Sequence, residues 1–313
     1  MTRTIAMMIA ASAAVATPAL ALQGQGEQQE SQPTILDRVL DRVLGPAEQQ
    51  QAESTPTETA PAAQNGLYTV LAADFRADDR ARDRYRHPAE TLNFFQVEPT
   101  MTVAEFGPGG GWYTRVLAPY IAPQGRYIAV NADTSWRDLD AEQRTRADSW
   151  PQRMAANVEE WTGIPASSVT AFESDEAPEG LAGTVDRILI FRSLHGMRNA
   201  NIADSELRRL RGLLADDGMV GVVQHRAPAS ESWARSNGTR GYLKQQDVVD
   251  LFRLNGFELV STSEINANPN DPADHDPGVW ALPPVLTHGD QDRDRYVAIG
   301  ESDRMTLLFR KAR

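Results

Sequence analysis

The stretch Val103–Ile121, VAEFGPGGGWYTRVLAPYI, constrains the fold more than any other part of the chain. An apolar segment of β character runs into Gly107-Pro108-Gly109-Gly110-Gly111 and then resumes with helical spacing. Glycines at a strand-to-helix turn let a ligand approach the backbone closely, and the helix that follows points its N-terminus at that ligand. The spacing excludes two common ligand classes. Aligned on Gly107 and Gly109, a dinucleotide fingerprint requires glycine at 112, where this chain has Trp112. A triphosphate-binding loop requires Lys-Ser/Thr after its last glycine, and here Trp112-Tyr113 follow. What remains is E-x-G-x-G-x-G, with Glu105, Gly107, Gly109 and Gly111.

From Leu67 onward, apolar β-rich segments alternate with helical patterns, which implies a mostly parallel sheet covered on both faces. Strands are expected at Thr102–Phe106, Arg126–Asn131, Ser168–Glu173, Val185–Phe191, Met219–His225, Phe257–Glu264 and Arg304–Arg310. Intervening helices are expected to start near Gly111, Trp136, Ala203 and Lys244, with a turn at Asp216-Asp217-Gly218. The expected fold class is therefore α/β: a doubly wound, mostly parallel seven-stranded sheet. A long Pro/Asp-rich insertion, Asn266–Ser302, precedes the last strand, and such an insertion in a compact domain is usually functional.

The first 66 residues read differently. Arg3, an apolar run to Ala16 and Ala19-Leu20-Ala21 fit a signal peptide cleaved after Ala21, which places the mature protein in the periplasm or outside the cell. The apolar run is short for a membrane span, so no transmembrane segment is expected after cleavage. Residues 22–66 are rich in Gln, Glu, Pro, Thr and Ala and read as a linker, with a short amphipathic helix over Ile35–Leu44. The chain of 313 residues carries 31 Lys+Arg against 43 Asp+Glu, a net charge of −12, which argues against nucleic acid as partner. With no cysteine, disulfides, thiolate metal sites and thiol nucleophiles are excluded. No G-x-S-x-G hydrolase elbow and no N-P-P-Y or D-P-P-Y segment is present.

The glycine motif, its strand–loop–helix setting and the strand sequence resemble the class I S-adenosylmethionine-dependent methyltransferases. RHPAETLNFF, ILIFRSLHGM, QHRA, NPNDPADHDPGVWALPP and GESDRMTLLFRK narrow the resemblance to a bacterial group of predicted, exported methyltransferases, over about Leu67 to the C-terminus. The resemblance implies a Rossmann-like domain over 67–313 and S-adenosylmethionine as cofactor. It implies that Glu105, Gly107, Gly109 and Gly111 wrap the methionine and ribose of that cofactor. Asn131 stands where the family usually carries an acid for the ribose hydroxyls, with Asp133 as a nearby substitute, and Asp175 matches an adenine-contacting position.

In a doubly wound sheet, ligands bind beyond the carboxyl ends of the strands. His195 follows the fourth strand and His225 ends the fifth; either is a candidate base for a protonated acceptor, and each equally reads as a hydrogen-bonded structural side chain. Arg192 and Arg226 are candidates for an anionic substrate, or else rim ion pairs. His275 and Trp280, in the insertion, are candidates for a substrate lid walled by prolines. Asp271, Asp274, His275 and Asp276 match no EF-hand spacing, and no metal is assigned. His87, before Pro88, reads as a helix entry. The expected function is methyl transfer to an unidentified small molecule. The alternative is a catalytically silent periplasmic binding or interaction module on the same fold. The oligomeric state is left open.

Overall fold

The structure is a computed structural model and describes residues 61–313. The expected signal segment, most of the linker and the Ile35–Leu44 helix lie outside the described residues. The first helix, α1 (Pro61–Ala72), straddles the expected linker boundary and buries Leu67. Two short helices follow, α2 (Asp83–Arg86) and α3 (Pro88–Phe94), hinged at His87, which takes a left-handed φ of 39°. Pro88 starts the second of them, as the His87-Pro88 pair predicts. Then come β1 (Thr102–Phe106), α4 (Thr114–Ile121), β2 (Arg126–Asn131), α5 (Ala141–Asp148), α6 (Trp150–Thr162), β3 (Thr170–Glu173) and β4 (Val185–Phe191). The chain continues through α7 (Leu194–Asn199), α8 (Ala203–Leu213), β5 (Leu214–Ala227), α9 (Trp233–Ser236), β6 (Leu243–Lys244), α10 (Gln245–Leu254), β7 (Phe257–Ser263), α11 (Arg293–Ile299) and β8 (Arg304–Lys311). Among the described residues no helix is long and apolar enough to cross a membrane.

The main sheet runs in the order β3-β2-β1-β4-β5-β8-β7. All pairs are parallel except those that β8 makes with β5 and β7. This is the doubly wound, mostly parallel arrangement expected, with the small strand β6 added beside the end of β5. The order reverses between β1 and β4, and the loops leaving those two strands, which begin at Gly107 and Arg192, open side by side.

Strand alternation divides the core into two layers. Ala104, Phe106, Ile128, Val130, Ile188 and Ile190 face Leu207, Leu210, Val248 and Phe252 of α8 and α10. Val103, Tyr127, Ala129, Leu189 and Phe191 face α1, α3, α4 and α6, through Leu67, Leu92, Val116, Met154 and Val158. Glu105 falls on this second face, so the pleat alone buries its carboxylate under α4.

Some boundaries differ from the reading of the sequence, for local reasons. The helix expected near Trp136 begins at Ala141, because Asp140 and Gln143 form a reciprocal capping box, and Pro151 restarts it as α6. The helix expected near Gly111 begins at Thr114. The third strand is shortened to Thr170 because Ala166–Ser168 take a 3-10 turn. The Asp216-Asp217-Gly218 turn is a wide bulge inside β5: Leu214 pairs with Val185 and Met219 with Arg187. The insertion contains α11, a helix of 7 residues that the sequence reading leaves out.

Gly221, in the middle of β5, shows how closely α3 and its following residue press on the sheet. A Cβ there would sit 2.6 Å from the ring of Phe95, which is fully buried. Gly221→Ala therefore overpacks the layer beneath the site, and urea denaturation should show a loss of about 1–3 kcal/mol.

Candidate active site

The glycine loop and the loop after β4 open into one cavity of about 410 Å³. Gly107, Pro108, Gly109 and Gly110 form one side. Gly107 and Gly109 adopt φ of 65° and 55°, which turn the backbone toward the cavity at little cost only without a Cβ. A Cβ on Gly110 would meet nothing within 4 Å. Gly111 is different. It is absent from the cavity lining, and a Cβ there would lie 2.2 Å from Trp161, so this position is small to let α6 pack on the loop.

Glu105 lies at the base of this side. Its Oε2 accepts from Thr114 Oγ1 and Tyr127 Oη, both at 2.7 Å. Burial pushes its pKa up to about 7, against those two bonds and the more distant Arg192 and Arg115, which lower it.

His195 and His225 line the cavity with ring centroids 5.8 Å apart. His225 Nδ1 is 2.5 Å from Ser302 Oγ. Desolvation lowers both histidines, and Arg304 and His195 add to the effect at His225. Both shifts favour the neutral imidazole, whose free nitrogen is an acceptor, and the same shifts make each ring, His225 most, a weaker base than free imidazole.

The insertion supplies the opposite wall, through Val279, Trp280, Pro283, Pro284 and Val285. Trp280 meets His195 edge-on, with centroids 6.0 Å apart. Buried polar anchors fix this wall. Asn266 Nδ2 donates to Thr91 Oγ1 and Thr306 Oγ1, at 2.9 and 3.0 Å. Asp271 accepts from Tyr242 Oη at 3.0 Å and from the Asp303 amide at 2.8 Å.

The remaining side is basic, and of its arginines the sequence marks only Arg192 as a substrate ligand. Arg82, Arg86, Arg115, Arg192 and Arg304 line the cavity. Glu301 joins three of them: its carboxylate accepts from Arg82 Nε at 2.6 Å, from Arg86 Nε at 3.0 Å and from Arg304 Nη2. Arg115 is paired with Asp79 through two bonds of 2.5 and 2.9 Å. The guanidinium of Arg192 makes no ion pair or hydrogen bond among the described residues. Its backbone is left-handed, at φ 58°, which costs a non-glycine residue roughly 1–3 kcal/mol.

The other residues singled out in the sequence fall elsewhere. Arg226 is held by Glu264 and Asp303, with its closest bonds at 2.7 and 2.8 Å, outside the cavity. His275 is buried in the insertion and bonded to Asp271 at 2.9 Å, so it braces the wall from behind. Asp133 accepts from the Ser135 amide at 2.7 Å and from Arg209 Nη2 at 2.8 Å; these partners, Ser135 first, outweigh its desolvation and lower its pKa, and it does not line the cavity. Asn131 leaves β2 beside Gly107 and lines a second cleft of about 270 Å³ with Thr134, Trp150 and Glu173. Asp175 is exposed just past β3; one oxygen each from Asp133, Glu173 and Asp175 come within 4.8 Å of one another. His87 lines neither cavity; its backbone turn sets Arg86 in place.

No family model matches the chain, and no curated protein matches it in sequence. Solved structures do resemble it. A SAM-dependent methyltransferase from Aquifex aeolicus is 16% identical, with a TM-score of 0.42, over 64% of this chain and 93% of that one. The trans-methyltransferase CalH, in complex with SAH, is 14% identical, with a TM-score of 0.42, over 79% of this chain and 62% of that one. At these values neither neighbour assigns a role to any residue here.

The raised pKa of Glu105 has a stability consequence. The folded protein keeps this proton up to about pH 7, whereas the unfolded chain releases it near 4.5. The contribution is complete below 4.5 and is lost as pH rises through 7. Glu105→Gln keeps an acceptor for Thr114 and Tyr127 without the titration. Relative to the native protein it should gain about 1–3 kcal/mol between pH 5 and pH 8, measured by urea denaturation at both.

Proposed function

We propose that the chain is an S-adenosylmethionine-dependent methyltransferase that acts on a small molecule and is exported. The observation that carries the reading is the glycine loop at the point where the strand order reverses, open onto a cavity shared with two neutral histidines. The donor set suits a nucleoside sulfonium: the Gly107–Gly110 backbone beside the methionine part, Glu105 beneath it, and Asn131 next to Gly107 for the ribose hydroxyls. Ser193 Oγ, a cavity-lining hydroxyl without a hydrogen-bond partner among the described residues, adds a free donor or acceptor. When bound, the cofactor supplies a methyl group already activated for direct displacement.

The protein's own part is positioning and proton removal. A proton on His225 Nδ1, donated to Ser302 Oγ, leaves Nε2 as the acceptor for a proton of the substrate. His195 and Trp280 line the cavity beside it, and Pro283 and Pro284 of the insertion add apolar surface to its wall. Asn131, which lines the neighbouring cleft just beyond Gly107, would hydrogen-bond a ribose hydroxyl without charge assistance, a weaker grip than a carboxylate's. Export is supported by Arg3, the apolar run and Ala19-Leu20-Ala21.

Calorimetric titration of the purified protein with S-adenosylmethionine and S-adenosylhomocysteine should give saturable binding. Gly110→Val should weaken it at least tenfold with an unchanged circular dichroism spectrum, because Gly110 lines the cavity, holds no left-handed backbone, and a Cβ there meets nothing within 4 Å. Absence of binding at high micromolar ligand would sink the cofactor assignment. Fractionation of cells expressing the full chain should recover it outside the cytosol, shortened by about 2 kDa, the rough mass of a peptide of this length.

A further inference from the structure

We propose that the methyl acceptor is an oxyanion, a small molecule bearing a carboxylate or phosphate, anchored by Arg192 with Arg86 and Arg304 behind it. The word acceptor rests on the methyltransferase reading; the oxyanion subsite itself does not.

Charge is the first argument. Arg115 is neutralised by Asp79, and Glu301 alone serves Arg82, Arg86 and Arg304. Adding Arg192, four cations face two carboxylates, Glu301 and Glu105, and burial holds Glu105 near half-protonation at neutral pH. The surplus is local, in a chain whose net charge is −12. Buried surplus charge is costly and is retained where a counter-charge arrives. The cofactor brings no net counter-charge, because a sulfonium and an ammonium outweigh its one carboxylate.

Geometry is the second argument. Arg86 and Arg304 are buried, yet Arg86 Nη1 and Arg304 Nε have no hydrogen-bond partner among the described residues. Arg192 is only partly covered, lines the cavity, and holds a left-handed backbone that only a glycine takes without strain. Strain of this kind persists where the surroundings impose it and clusters at ligand sites. Desolvation and the neighbouring Arg304 also lower its pKa to about 10. An anion bound there would offset both the lost hydration and the repulsion from Arg304. Arg192, Arg304 and His225 line the same cavity, so a group anchored on the two arginines shares that space with the candidate base.

The test is a titration of the full chain, without cofactor, with inorganic phosphate and with malonate, followed by calorimetry and by the shift in Tm. At least one probe should bind saturably in the millimolar range or tighter. Arg192→Gln should weaken it at least tenfold, and Arg253→Gln, on an exposed face of α10, should not. Preference for phosphate or for malonate names the group. Arg192→Gly, which suits the backbone, should have a Tm at or above the native value while losing the probe-induced shift. The proposal is overturned if neither probe binds, if Arg192→Gln binds as well as the native chain, or if Arg192→Gly lowers Tm, which would make Arg192 a structural residue. Where S-adenosylhomocysteine binds, the titration is repeated in its presence. Persistence supports an acceptor subsite, and competition assigns the arginines to the cofactor's own carboxylate and overturns it. Failure to bind S-adenosylhomocysteine together with success of the phosphate or malonate arm removes the methyltransferase reading and leaves the oxyanion subsite standing.

Discussion

The cavity wall depends on one buried carboxylate. Glu301 is 2% exposed and is the common partner of Arg82, Arg86 and Arg304. Three guanidinium groups do not share a dry space without it, since each would carry an uncompensated desolvation cost. The pairing also fastens the short helices ahead of β1 to the final strand. The Arg86 carbonyl accepts from Tyr113 Oη at 3.1 Å and from Thr91 Oγ1 at 3.2 Å, so the same turn is tied to the glycine loop and to α3. The site is therefore a junction of distant segments, held by electrostatics where the sheet supplies no hydrogen bonds.

The two sides of the cavity have different mechanical characters. The glycine side is bare backbone, with Glu105 under it and Trp161 packed against its far end. The opposite side is a proline-rich wall braced by buried side-chain bonds to Asp271 and Asn266. A ligand that fills the space is met by adaptable amides on one side and by fixed apolar and cationic groups on the other. That asymmetry suits one invariant partner and one specific partner, which is how a common cofactor and a selective acceptor would divide the space.

Much of the fold was legible in the sequence because parallel strands buried on both faces are continuous apolar runs. β1, β2 and β4 have the bounds their sequences predict. The helix after β2 was misplaced although its signal was present: Asp140 and Gln143, three residues apart, are a capping pair. The site was less legible. Histidines and glycines at strand ends announce themselves by position. Arg82 and Arg86 do not, because their partner Glu301 lies 219 and 215 residues away and nothing local marks the pairing. Asp133 reads in sequence as a substitute ribose ligand and Arg226 as either a substrate ligand or a rim ion pair; the structure binds the first to Arg209 and makes the second an ion pair with Glu264 and Asp303. A charge's availability is a property of the folded neighbourhood, and residue type alone does not carry it.

The last strand in the chain is not at the edge of the sheet. β8 lies between β5 and β7, and β7 reaches the rest of the sheet only through it. Residues 257–263 thus have no place to pair until residues 304–311 arrive. The same late segment brings Arg304, and Glu301 stands just ahead of it. Closure of the sheet and completion of the basic wall therefore depend on the same short segment, and neither can be had without the other.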